Sequence, residues 1–143
     1  MLVASILKAK GDNVFTAPPE TTIGQALDIL RRERIGVLVV TGRHGAVSGI
    51  LSERDIVHAM AEADGDLRTR PIADYMTRDV ICCTPNQSLE ELMREMTDRR
   101  IRHLPVIDGR RLAGIVSIGD VVKYRLGELQ AERDALQDYI ATG

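Results

Sequence analysis

The chain has 143 residues, is 44% hydrophobic and 28% charged, and carries a formal net charge of −2. That length allows one compact domain or two small packed halves with a real core, and the even mixture of charges excludes a basic field that would gather nucleic acid. The longest apolar runs, such as Val37-Leu38-Val39-Val40, are strand length, far below the roughly 20 residues of a membrane span.

Residues 1–10 hold an apolar patch too short and too mixed for a secretory signal. An extended segment at 14–16 then leads through Pro19 to Thr22, a helix N-cap. Ile23, Ala26, Leu27 and Leu30 follow at i, i+3, i+4, i+7, which makes one apolar helix face. A strand over 37–40, a hairpin turn at Gly42-Arg43-His44-Gly45 and a second strand lead into Gly49-Ile50-Leu51-Ser52-Glu53-Arg54-Asp55 and a further helix. Asp64-Gly65-Asp66 through Arg70-Pro71 reads as a linker.

The same order then repeats at an offset of about 66 positions. Residues 80–83 are extended, Pro85 precedes the N-cap Ser88, and Leu89, Leu92, Met93 and Met96 form the helix face. A strand over 103–107 turns at Asp108-Gly109-Arg110 into Gly114-Ile115-Val116-Ser117-Ile118-Gly119-Asp120. Beyond Asp120 the chain is helical, with Val122, Leu126, Leu129, Arg133, Leu136 and Ile140 alternating spacings of four and three. This heptad-like stripe with one charge in it suits pairing with a second copy, so a homodimer is expected.

The only cysteines, Cys82 and Cys83, are neighbours; they lack C-x-x-C spacing and there is no histidine cluster to complete a metal site. They read as buried strand residues in a reducing, cytoplasmic setting. The repeated Ser-x-x-Asp matches a capping box. It also places a hydroxyl and a carboxylate at a strand-to-helix turn, where they can hold a ribose and a phosphate. The chain has no GxxxxGK[ST], GxSxG or HExxH segment, so no catalytic residue is expected and the chain does not read as an enzyme.

Two halves of strand-helix-strand-strand-helix order, each with a G-h-h-S-x-x-D segment, and Arg102-His103-Leu104-Pro105-Val106 in the second, resemble a tandem pair of cystathionine-β-synthase (CBS) domains, the Bateman module. The resemblance implies an α+β fold of two pseudo-twofold repeats, at 1–63 and 71–125, with a linker at 64–70 and a C-terminal helical extension at 126–143. It also implies two clefts between the repeats for an adenosine-containing small molecule such as AMP, ADP, ATP, NAD(H) or S-adenosylmethionine, with no obligatory cofactor and no metal.

Carried over by position, Asp55 and Asp120 accept the ribose hydroxyls, with Ser52 and Ser117 as polar partners. Thr16 and Ala17, and Cys82 and Cys83, occupy the adenine-facing segments. In similar modules the start of the second hairpin, here Arg102 and His103, serves the phosphate of the first cleft; Gly36 and Val37 stand in the matching place in the first repeat. A phosphorylated ligand is therefore expected at Asp55, held by Arg54 and Arg102. The expected role is that of a stand-alone regulator of a separate, unidentified protein. The alternative is a dimeric interaction scaffold with non-functional clefts.

Overall fold

The structure, a computed structural model, describes residues 1–142. In the first repeat, helix α1 (Val3–Lys10) is followed by β1 (Thr16–Ala17), α2 (Ile23–Glu33), β2 (Val37–Thr41), β3 (Val47–Ser52) and α3 (Glu53–Glu62). Two 3₁₀ turns, Leu67–Thr69 and Ile72–Asp74, lead to α4 (Leu89–Arg99), β4 (His103–Asp108), β5 (Arg111–Ser117) and α5 (Ile118–Thr142). β1 runs parallel to β2, and β2 pairs antiparallel with β3. β4 and β5 form an antiparallel hairpin that Cys83 joins by a single parallel bridge to Val106. That bridge is the counterpart of Ala17 on Val40, so the duplication read in the sequence is also a duplication of strand register.

Local chemistry repeats in the same way. Thr22 caps α2 through a capping box: the Gln25 N–H donates to its hydroxyl at 3.1 Å, and its own N–H donates to Gln25 Oε1 at 3.0 Å. Ser88 accepts from the Glu91 N–H at 3.1 Å. Both helices end on an arginine in the left-handed conformation, Arg34 at φ 55° and Arg100 at φ 53°. Glycine is the usual residue there, because a Cβ in this region costs about 1–2 kcal/mol. Gly49 and Gly114 are fixed by crowding instead. A Cβ on Gly49 would come within 2.5 Å of Met76 Sδ, and one on Gly114 within 2.8 Å of Leu7 Cδ2.

Those two close approaches reveal how the halves interlock. One core joins Ile23, Ala26, Leu30, Leu38 and Leu51 of the first repeat to Ile72 and Met76, which lie beyond the linker. The other joins Leu89, Leu92, Met96, Leu104 and Val116 to Val3 and Ile6 of α1. Backbone hydrogen bonds seat both crossing segments in the same way. Val3 and Ala4 N–H donate to Gln87 and Pro85 carbonyls at 2.9 Å, as Ile72 and Ala73 donate to Thr21 and Pro19 at 2.7 and 3.1 Å. Each repeat therefore completes its core with a segment that precedes the other repeat.

Two details differ from the sequence expectations. Cys83 is buried in the second core, but Cys82 is exposed, because successive residues of an extended segment point to opposite sides. The linker region is also partly ordered. Asp66 caps the first 3₁₀ turn, the Ile23 N–H donates to the Arg70 carbonyl at 2.9 Å, and Arg70 donates to the Tyr75 hydroxyl at 2.9 Å.

α5 is one continuous helix of 25 residues in which Val121 alone is buried. Val122, Leu126, Leu129, Leu136 and Ile140 are between 44% and 69% exposed, so the stripe is uncovered in the single chain.

Candidate functional site

Ser52 closes β3 and caps α3, which puts Asp55 at the third helical position with its carboxylate folded back over the cap. Asp55 Oδ2 accepts from the Ser52 N–H at 2.9 Å and from the Ser52 hydroxyl at 3.1 Å, while the Asp55 N–H donates to Ser52 Oγ at 3.2 Å. The capping box and a binding role are compatible, because the box uses Oδ2 and fixes the direction of Oδ1. Oδ1 accepts one bond, from the hydroxyl of the exposed Thr77 at 3.2 Å. A carboxylate has about four acceptor sites, so Asp55 keeps an open lone pair beside a neutral, exchangeable donor.

The second motif repeats the box: the Ser117 N–H donates to Asp120 Oδ2 at 2.9 Å and the Asp120 N–H to Ser117 Oγ at 3.2 Å. Its outer partner differs. Where Asp55 meets a hydroxyl, Asp120 Oδ2 meets the Lys10 ammonium at 2.6 Å, and Lys10 also donates to the Ile115 carbonyl at 2.8 Å. Burial works to raise the Asp120 pKa, but hydrogen bonds from Lys10 and the Ser117 N–H outweigh it and hold the carboxyl below its ordinary value.

His103 lies opposite Ser117 in the β4–β5 ladder and is half-buried. Burial lowers its pKa from the ordinary 6.5; Asp120 and Glu53 act to raise it, and Lys10 and Arg102 to lower it. His103 therefore feels the charge of Asp120 and, less, that of Glu53, the first residue of α3 in the other repeat. The Arg102 carbonyl accepts from the Ile118 N–H at 2.8 Å, which ties it to the second motif. Arg54 and Arg102 are both exposed, and among the described residues neither is in an ion pair.

Thr16 is exposed and lines a cleft of about 510 Å³ with Val14, Thr41, His44, Arg110 and Arg111. β1 lies two strands from β3, roughly 9.5 Å across the sheet, which is the scale of a nucleoside. Ala17 and Cys83 are buried in their cores, so only their backbones are available to a ligand; Cys82 is exposed.

Lys10, Thr77 and the Arg110-Arg111 pair were not singled out by the motif reading. Thr77 and Lys10 act on motifs far away in sequence, and no local pattern encodes that. The hairpin position of the two arginines is the one local signal that pointed to them. Among the described residues there is no group of three or more His, Cys, Asp or Glu able to hold a metal, and no helix is long and apolar enough to cross a membrane.

Known proteins share this arrangement. The CBS domain family model matches twice, over residues 6–62 and 72–127. A CBS-domain containing protein, ATU1752 from Agrobacterium tumefaciens, is 42% identical with a TM-score of 0.83, over 87% of this chain and 99% of that one. The CBS domain pair of protein MJ0100, solved in complex with 5-methylthioadenosine and S-adenosyl-L-methionine, is 29% identical with a TM-score of 0.78, over 90% and 98%. The CBS domain protein PAE2072 from Pyrobaculum aerophilum, complexed with AMP, is 25% identical with a TM-score of 0.74, over 84% and 89%. With two matched repeats, crossed cores and a motif carboxylate at the head of each motif helix, the chain belongs to the CBS-domain family as a tandem CBS pair.

Proposed function

We propose that this CBS pair is a regulatory module that binds an adenine nucleotide at Asp55, without catalysis, and passes the bound state to a separate protein. The observation that carries this reading is the Asp55 carboxylate. It is oriented by Ser52, faces only the neutral Thr77 hydroxyl on its free oxygen, and follows directly on the exposed, unpaired guanidinium of Arg54. A carboxylate suits a ribose diol, and unpaired guanidiniums suit phosphate. The adenosine ligands of MJ0100 and PAE2072 support the same chemistry. AMP, ATP and NAD(H) all present it, and a reducing compartment such as the cytoplasm accords with two free thiols. Regulation follows if the ligand binds two shapes or two assemblies of the module with unequal affinity.

The test is calorimetric titration of nucleotide-stripped protein with AMP, ATP, NAD⁺, NADH and S-adenosylmethionine. Asp55→Ala should weaken binding by roughly tenfold or more, the expected loss for hydrogen bonds to a charged acceptor. Unchanged affinity in that variant would remove Asp55 from the site.

The exposed α5 stripe supports a second element of the reading, a homodimer in which Leu126, Leu129, Leu136 and Ile140 meet a second copy. Leu129→Asp should then yield monomers in analytical ultracentrifugation. If none of the five ligands binds while this variant still dissociates, the chain is a dimeric scaffold.

A further inference from the structure

Each repeat turns its hairpin with basic residues, Arg43 and His44 in the first and Arg110 and Arg111 in the second. The fold brings these two turns to one place. His44 from the first and Arg110 and Arg111 from the second line a single cleft of about 510 Å³, with Thr16 of β1 and Thr41 at the end of β2 on its wall. This cleft lies far from both motif carboxylates. Thr41 pairs with Val47 at one end of the β2–β3 ladder and Ser52 closes the other end, roughly 17 Å away at about 3.4 Å per residue. Arg111 opens β5 and Ser117 closes it, a further separation of roughly 20 Å on the same scale.

The charges at the cleft are uncompensated. Arg110 and Arg111 are exposed, and among the described residues neither forms an ion pair. Asp108, the acid of the same turn, stands opposite Arg111 in the strand register, yet its carboxylate forms no ion pair either. Two guanidiniums gathered on one cleft repel each other, and a bound anion relieves that repulsion. The donors also outnumber what a carboxylate can accept. Each guanidinium carries five N–H donors, and His44, Thr16 and Thr41 add more, whereas a carboxylate has about four acceptor sites. A phosphoryl chain offers more oxygens, and guanidiniums hold it by charge-assisted bonds. Val14 and Leu112, both half-buried, give the cleft apolar edges against which the body of a small molecule can lie.

We infer that the cleft between the two hairpin turns is a second anion site, separate from the motif carboxylates, which takes the phosphoryl groups of a small phosphorylated molecule. No motif residue enters this inference, so it stands apart from the reading of Asp55. The walls come from both repeats: Thr16, Thr41 and His44 from the first, Arg110 and Arg111 from the second. An anion held there bridges the repeats. It binds best to the arrangement that brings the two turns together, and so favours that arrangement over any other the pair adopts.

The probe is inorganic pyrophosphate, titrated into ¹⁵N-labelled wild type, the double variant Arg110→Gln/Arg111→Gln, and Asp55→Ala, with backbone amide shifts followed by NMR. Saturable shifts are expected at the amides of Thr16, Thr41, Gly45 and Leu112. Affinity should fall at least tenfold in the arginine double variant, the loss expected for charge-assisted bonds, and stay unchanged in Asp55→Ala. His44→Ala, on the opposite turn, serves as a second variant if the arginine pair proves unfolded by circular dichroism, and should weaken binding severalfold. Raising the salt concentration should weaken binding to wild type, because the cleft is open and its charges are screened.

The absence of saturable shifts in wild type, or equal affinity in the arginine double variant, would overturn the inference. So would shifts confined to Ser52, Asp55 and Arg102 and lost in Asp55→Ala, which would put the phosphate at the first motif and support the Asp55 reading instead. A parallel titration with AMP keeps the two apart. If pyrophosphate moves the cleft amides while AMP leaves Ser52 and Asp55 unmoved, the inference holds and the Asp55 reading fails.

Discussion

Replacing Ile6 with alanine tests whether α1 completes the core of the second repeat. Ile6 is fully buried among Leu89, Leu92, Leu104, Val116 and their neighbours, although the whole first repeat separates it from them in sequence. The substitution removes three carbons from a closed environment. At about 0.8 kcal/mol each, their transfer is worth about 2.4 kcal/mol, and the cavity left behind brings the loss to about 3–4 kcal/mol. With a urea slope of roughly 1.5–2 kcal/mol per M, the unfolding midpoint should fall by about 2 M. Val57→Ala, at a position 62% exposed, should cost less than about 0.5 kcal/mol and serves as the control. Hydrogen exchange locates the damage: amides of α4 and β5 should lose protection before those of α2 and β3. A cost below about 1 kcal/mol, or protection lost first in α2, would refute the crossed assignment of α1.

Two further outcomes follow from the geometry. Arg100 ends α4 at φ 53°, so Arg100→Gly should relieve left-handed strain and stabilise the fold by up to about 1 kcal/mol in urea melts, whereas Arg100→Val should destabilise it. His103 is held below its ordinary 6.5 in the free protein, and a phosphate bound near it would raise that value. Binding then takes up a proton, so affinity for NAD⁺, whose phosphates do not titrate near neutrality, should rise as pH falls below 6.5. Adenosine affinity should stay flat over the same range, and a flat NAD⁺ profile would separate His103 from the phosphate.

The parts of the fold that were legible in the sequence are those encoded locally. Thr22 and Ser88 announced their helices by capping chemistry, the apolar faces of α2 and α4 by their spacing, and the hairpins by their glycine turns. The motif serines and aspartates were found because they recur. The crossing of α1 and of Ile72–Asp74 was hidden because a short apolar patch says nothing about which distant surface it covers. Lys10 was missed for the same reason: its bond to Asp120 spans 110 positions. Cys82 was misjudged because its neighbour Cys83 fills the core, and in an extended segment only every second side chain can.

The crossed segments also constrain the order in which a newly made chain can fold. α1 leaves the ribosome before either set of strands, but the surface it covers, from Cys83 to Val121, is made only after the whole first repeat. The first repeat has all its strands and helices by Glu62, yet it lacks Ile72 and Met76 until the linker has emerged. Chains of many domains close one unit at a time from the N-terminus. Here α1 waits uncovered while the first repeat is made, and the second core closes only when synthesis has reached Val121.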